Sequence, residues 1–260
     1  MAAPVSAVRP LEHLVLFWSK GIRRSLLVGI IIPAAFLGAM GLGVGSLVGE
    51  QAEARRLDGF GYLEFLAPGM MAVLAMQAAV QESLWPVLGG IKWRRTYEAM
   101  LATPLEVSHV LRGQLAYTSV RVGFAAVLYV AVMTAFGVPR SPLVLLTPVV
   151  AVLTGLAFAG PVTAFSATQE TDIRFPIVFR MGVMPLFLFS GAFFPVDQLP
   201  VALQWVAKTF PLWHGIQLCR GLTLGTVGML GLIGHTGYLA LWAAVGVAVG
   251  HVTFRRRLRP

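Results

Sequence analysis

The chain has 260 residues, 57% of them hydrophobic and only 12% charged, where a soluble domain carries about 25% charged residues. Mean hydropathy is +0.78, and residues 25–49, 141–169 and 221–254 hold no Asp, Glu, Lys or Arg; a helix crosses the hydrocarbon core with about 20 apolar residues, and a soluble domain has no room for several such runs. The net charge of +9 does not mark a nucleic-acid binder, because the basic residues flank apolar segments, where they orient a chain in a membrane.

In chain order, the first feature is a short amphipathic helix in the cytoplasmic N-terminus, residues 1–24. Leu11, Leu14, Val15 and Trp18 fall at helical spacing and Pro10 suits a first turn, a pattern that lies in the membrane interface. The apolar run from Ser25 to Gly49 is far longer than the roughly 7–15 residues of a signal-peptide core. No cleavable signal is expected, and Arg23-Arg24 reads as a basic flank. Six crossings are predicted, over 25–48, 62–87, 110–136, 143–167, 175–192 and 230–253, with Pro68 and Pro86 marking the ends of the second. Gly41, Gly45 and Gly49 in the first, and Gly246 and Gly250 in the sixth, have the spacing that lets helices approach backbone to backbone.

Lys and Arg test this layout. Fourteen fall on the side of the termini and five (Arg55, Arg56, Arg140, Lys208, Arg220) on the other, with Arg121 inside a span. The positive-inside rule puts both termini in the cytoplasm, which requires an even number of crossings.

Two connections carry more information. The cytoplasmic loop 89–109 is predicted to hold a helix of about three turns over 91–105, started after Gly89-Gly90 and ended by Pro104. On it Trp93, Tyr97 and Met100 or Leu101 share a stripe, and Arg94 pairs with Glu98 at i,i+4. Such a stripe either enters a partner's groove or rests on the chain's own spans. The external segment 192–228 is apolar and aromatic but broken by Pro195, Pro200 and Pro211. It reads as a re-entrant hairpin of two short helices, roughly 193–206 and 210–224, or as a loop in the headgroup region. The chain reads as one all-α membrane domain, residues 1–260, with no repeat and no attached soluble domain.

Chemistry is sparse. Cys219 is the single cysteine, the five histidines are scattered, and no metal site is expected. Within the spans, Gln77 and Gln81 share a face of the second, with Glu82 nearby and Arg121 in the third. Intramembrane polar groups face a bundle interior or cavity, so Glu82 and Arg121 read as an ion pair or as substrate contacts. No mid-membrane carboxylates occur in spans one, four and six, which weakens the alternative of an ion-coupled secondary transporter of hydrophobic compounds. No cluster of polar catalytic groups marks an intramembrane enzyme, and no phosphate loop ending in Gly-Lys-Ser/Thr is present.

Three stretches resemble the permease subunits of ABC-2-type exporters, in particular the nodulation-type lipo-oligosaccharide exporter permeases and their drug-export relatives. They are Phe65-Leu66-Ala67-Pro68-Gly69-Met70, Thr96 to Leu105, and Leu188 to Pro200 followed by Pro211-Leu212. The resemblance implies a plasma-membrane exporter permease without its own ATPase site. Two copies of a partner ABC ATPase would bind ATP and Mg, and a second, identical permease chain would complete the path. The cargo would be a lipid, a lipid-linked saccharide or a hydrophobic drug. Coupling to the ATPase would fall to Trp93, Arg94, Arg95, Tyr97, Glu98, Leu101, Thr103 and Pro104. The path and outer gate would be lined by Met70, Met71, Leu74 and Gln77 with Phe187, Phe189, Phe193, Phe194, Pro195 and Asp197, each of which is equally readable as a packing residue. Arg180 departs from the family habit of an uncharged residue early in the fifth span.

Overall fold

The N-terminal apolar spacing produces helix α1 (Val8–Ser19), and a turn at Gly21 leads into α2 (Ile22–Gly38), which continues as wider turns through Ala39–Val44. The computed structural model describes residues 8–19, 21–44 and 59–258. Residues 45–48 of the first predicted span, with Lys20, Gly45, Gly49, Arg55, Arg56 and Arg259, lie outside them.

Beyond Gly61 the chain forms α3 (Tyr62–Leu88), α4 (Thr96–Leu101), α5 (Val107–Ala135), α6 (Thr147–Thr168, preceded by a 3₁₀ turn, Pro142–Leu146), α7 (Phe175–Phe189), α8 (Val201–Thr209), α9 (Pro211–Leu224) and α10 (Met229–Leu258). Among the described residues there is no strand. Four stretches are long and apolar enough to cross a membrane: Tyr62–Trp93, Val107–Ala135, Pro142–Thr168 and Met229–Leu258. They coincide with the second, third, fourth and sixth predicted spans. Two shorter apolar helices, Ser25–Gly41 and Phe175–Phe189, stand where the first and fifth are predicted. At 1.5 Å per residue they reach about 25 and 22 Å, against a hydrocarbon core of about 30 Å.

Helix α3 is the most buried of the long stretches, packed by α5, α6 and α9; Leu66, Met71, Met76, Leu84 and Leu88 are fully buried along it. Helix α10 lies against α6, and their closest approach is set by glycine. A Cβ on Gly246 would stand 2.3 Å from Pro161 Cδ, and one on Gly160 would stand 2.7 Å from the Gly246 carbonyl carbon. The small-residue spacing read in the last span therefore has its partner on α6.

Several sequence expectations are corrected. Pro68 and Pro86 do not bound the second span but lie inside α3, where each lacks the N–H that would bond the carbonyl four residues back. Gly89-Gly90 does not end it either; the helix runs on as a π-turn, Gly89–Trp93. The helix predicted in the 89–109 loop is then the six residues of α4 rather than three turns over 91–105, because Arg95 takes a left-handed conformation (φ 49) that breaks it from Trp93. Helix α7 ends at Phe189, not 192, and contains a π-turn over Val178–Val183; Pro185, with no N–H to offer the preceding turn, forces that wider winding. Arg180 is exposed there. The first hairpin helix is Val201–Thr209 instead of 193–206, since Pro195 and Pro200 remove backbone donors and Gly191 (φ 88) turns the chain. The second, Pro211–Leu224, falls where it is expected.

Candidate functional site

Three groups of polar and aromatic residues stand out, one near each end of the long helices and one between them. The first is the 89–109 connection. Tyr97 is only 3% exposed. Its hydroxyl donates to Gln114 Oε1 at 3.0 Å, and Gln114 Nε2 donates in turn to the Glu82 carbonyl at 3.1 Å. Its ring lies so close to Gly90 that a Cβ there would meet ring carbon at 2.7 Å, and it faces Phe254 with centroids 5.9 Å apart. Burial pushes its phenol well above the usual tyrosine value. Tyr97 thus ties α4 to α3, α5 and α10, and is not part of an outward stripe.

Around this anchor Trp93 is 60% exposed, and Arg94, Arg95, Glu98, Thr103 and Pro104 are exposed while Leu101 is half-buried. The predicted Arg94–Glu98 pair does not form; the break at Arg95 shifts the register, and Arg95 Nε stands 3.9 Å from Glu98 Oε2. Beside them, Glu170 accepts from Lys92, at the end of the α3 extension, and from Arg257 Nη1 on α10 at 2.5 Å. Those two hydrogen bonds, Arg257's first, hold its carboxyl down at about 2. Sequence reading missed this three-way clamp, because its members are 78 and 87 positions apart in the chain and share no local pattern.

The second group lies between the helices. Arg121 Nη2 and Glu82 Oε1 are 2.9 Å apart, and Arg121 also sits over the Trp18 ring at 5.4 Å. Trp18 packs edge-on against Phe124 and donates to Ser25 Oγ at 3.0 Å. Helix α1 is therefore fastened to the middle of α5, since Arg121 is the central residue of Val107–Ala135. Next to this pair, α2, α3 and α5 leave a cleft that holds Met71, Leu74 and Gln77.

The third group is the hairpin. Phe187 and Phe193 meet edge to face at 4.9 Å, Phe194 is half-buried and Phe189 exposed. A cavity of about 620 Å³ is lined by Pro195, Asp197, Lys208, Trp213 and Arg220 among others. Asp197 Oδ1 and Lys208 Nζ are 3.5 Å apart. Arg220, read in the sequence only as one external charge, joins α9 to the start of α3: Nε donates to the Phe65 carbonyl (3.2 Å), Nη2 to the Gly191 carbonyl (2.9 Å), and the guanidinium covers the Phe65 ring at 3.6 Å. His214 and His235 approach through their Nδ1 atoms at 2.8 Å, and Tyr238 donates to the Thr209 carbonyl at 2.5 Å, fixing the hairpin to α10. Met70 is buried. Of the ten residues predicted for one path, Met71, Leu74 and Gln77 line the inner cleft, Phe187 and Phe189 lie on α7, and Phe193, Phe194, Pro195 and Asp197 lie between α7 and α8. Among the described residues no group of three or more His, Cys, Asp or Glu could hold a metal ion.

Long apolar helices, a short helix tucked under their charged ends and a proline-broken hairpin at the opposite end describe a membrane transport scaffold, not a soluble catalyst. The family model for ABC-2 type transporter matches residues 15–224. The chain is similar to "Nodulation protein J" of Rhizobium leguminosarum bv. viciae, with 34% identity over 243 residues, 94% of this chain and 91% of the relative. It is similar also to "Nodulation protein J" of Rhizobium meliloti (strain 1021), at 32% over 246 residues, 94% and 91% of the two chains. "Inner membrane transport permease YadH" of Escherichia coli (strain K12) is 25% identical over 248 residues, 88% and 92%. The chain belongs to the ABC-2 type transporter family, as a membrane permease component of a transport system.

Proposed function

We propose that this chain is the permease half of an ATP-driven exporter that moves an amphipathic molecule (a lipid, a lipid-linked saccharide or a hydrophobic drug) out of the cytoplasm or inner leaflet of the plasma membrane. Six helices cross, the two short apolar ones, α2 and α7, as the first and fifth, and both termini are cytoplasmic. The α8–α9 hairpin re-enters from outside as the outer gate. Two identical chains make one path, and each docks an ABC ATPase that binds ATP and Mg; this chain has no cofactor of its own.

The observation that carries the coupling part is the contrast within the α4 segment. Tyr97 is locked among three long helices, while Trp93, Arg94, Arg95 and Glu98 project beside it. A contact made by those exposed side chains moves with α3, α5 and α10 rather than flexing alone. Nucleotide can shift the permease only if the docked ATPase differs in affinity for its two states, and a rigidly held contact carries such a difference. Arginine and tryptophan are also the residues that dominate protein interfaces when exposed in this way.

The test is copurification of the chain with its ATPase. Trp93→Ala with Glu98→Ala should release the ATPase or uncouple its turnover from transport, and leave the permease folded. If that variant retains the ATPase and transports as well as the parent, the coupling assignment is wrong.

A further inference from the structure

Two cavities of about 350 and 380 Å³ share Val28, Gly29, Ala78, Gln81 and Ala125, and so form one cleft between α2, α3 and α5. Its size falls within the range of small-molecule sites. Its upper part is walled by Ile32, Pro33, Met71, Leu74 and Val122, and its lower end by Glu82, Arg121 and Trp18. Between them, the half-buried Gln77 and the more exposed Gln81 line it, and neither side chain makes a hydrogen bond among the described residues. Pro33 has no N–H, so the Gly29 carbonyl, on the same wall, loses its helical donor.

Gln77 is the sixteenth residue of the 32-residue stretch Tyr62–Trp93, at mid-membrane depth. A carboxamide left without a partner there costs roughly 1–3 kcal/mol, where a leucine would cost nothing. Two of them, one turn apart beside an apolar slot, are what a bound polar head would satisfy. The charged groups at the slot's end sum to zero: Glu82 and Arg121 are paired at 2.9 Å, so neither leaves an uncompensated charge to attract a charged head. We propose that this cleft binds a single amphiphile, with its acyl chain against Ile32, Met71 and Leu74 and a head of no net charge, neutral or zwitterionic, hydrogen-bonded to Gln77 and Gln81. This deepens the exporter reading by naming the cargo's head-group chemistry and a holding site within one chain, and it rests on that reading only for the direction of movement.

The test is photolabelling of the full chain in nanodiscs, with its ATPase bound and without, using lysophosphatidylcholine that carries a diazirine on the acyl chain. Labelled positions are read by mass spectrometry. Labels should concentrate on residues 28–33, 71–81 and 122–129. Gln77→Leu with Gln81→Leu should reduce them about tenfold, the loss expected for one or two hydrogen bonds, with no change at lipid-facing Val149 and Val245. On the parent protein, anionic lysophosphatidylglycerol and cationic alkyltrimethylammonium probes should label the cleft several-fold less than the zwitterion. Equal labelling of cleft and lipid-facing positions, indifference to the glutamine changes, or a preference for a charged probe would overturn the proposal. So would crosslinking of Gln77→Cys between two copies with the probe excluded, because a second chain would then fill the cleft. Binding needs no ATP, so labelled protein that fails to transport would count against the exporter reading and leave the site standing.

Discussion

Replacing Arg121 by Met keeps the aliphatic stem against Trp18 but removes the charge facing Glu82. The pair is 2.9 Å apart, with Arg121's side chain 30% and Glu82's 16% exposed. Breaking a fully buried pair costs about 3–5 kcal/mol, because an uncompensated charge remains. This pair is only partly buried, which brings the expected loss to about 2–3 kcal/mol, with about 0.5 kcal/mol more from the contact over Trp18 at 5.4 Å. A second change, Glu82→Gln, removes the stranded charge and should recover most of the loss, leaving a coupling of about 1–2 kcal/mol in the cycle. The assay is thermal unfolding in detergent followed by size-exclusion chromatography, where 2 kcal/mol corresponds to about 4–8 °C for a chain of this size. The reasoning fails if Arg121→Met alone melts with the parent, or if the double variant is no better than the single.

Other outcomes follow from the same geometry. Gly246→Leu should prevent α6 and α10 from closing, since even a Cβ would stand 2.3 Å from Pro161; a loss of several kcal/mol or failure to accumulate in the membrane is expected, whereas Gly234→Leu, with open space around it, should be tolerated. Tyr97→Phe gives up the hydrogen bond to Gln114 and should cost about 1 kcal/mol, read by thermal unfolding, while Trp93→Ala leaves stability unchanged and weakens ATPase binding. The Glu170 carboxyl is held at about 2 against an ordinary 4.5, so its bonds to Lys92 and Arg257 stabilise the fold above about pH 4.5 and lose that contribution as pH falls toward 2. Limited proteolysis of the C-terminal end across pH 7 to 3 should show this loosening in the parent, and no such pH step in Glu170→Gln.

The long helices could be read from the sequence because three charge-free runs and the flanking lysines and arginines report directly on burial in lipid. The details that failed all depend on what lies across from a residue. Gly89-Gly90 looked like a helix end, yet the missing side chain at Gly90 is filled by the Tyr97 ring, and that ring's burial is what removes it from the predicted docking stripe. Arg220 carried no local signal, and its role emerges only when α9 is laid beside Phe65 and Gly191. Glu82 and Arg121 could be matched in advance because intramembrane charges are few. Trp18, which completes that site, could not, since an amphipathic helix carries no sign of which span it will touch.

The central claim is that this chain moves its cargo only when a separate ATPase drives it, and reconstitution tests it most directly. Proteoliposomes holding the chain with its ATPase should show ATP-dependent movement of a fluorescent zwitterionic amphiphile between leaflets, and those holding the chain alone should show none. Transport by the chain alone, driven by an ion gradient and indifferent to ATP, would contradict the account.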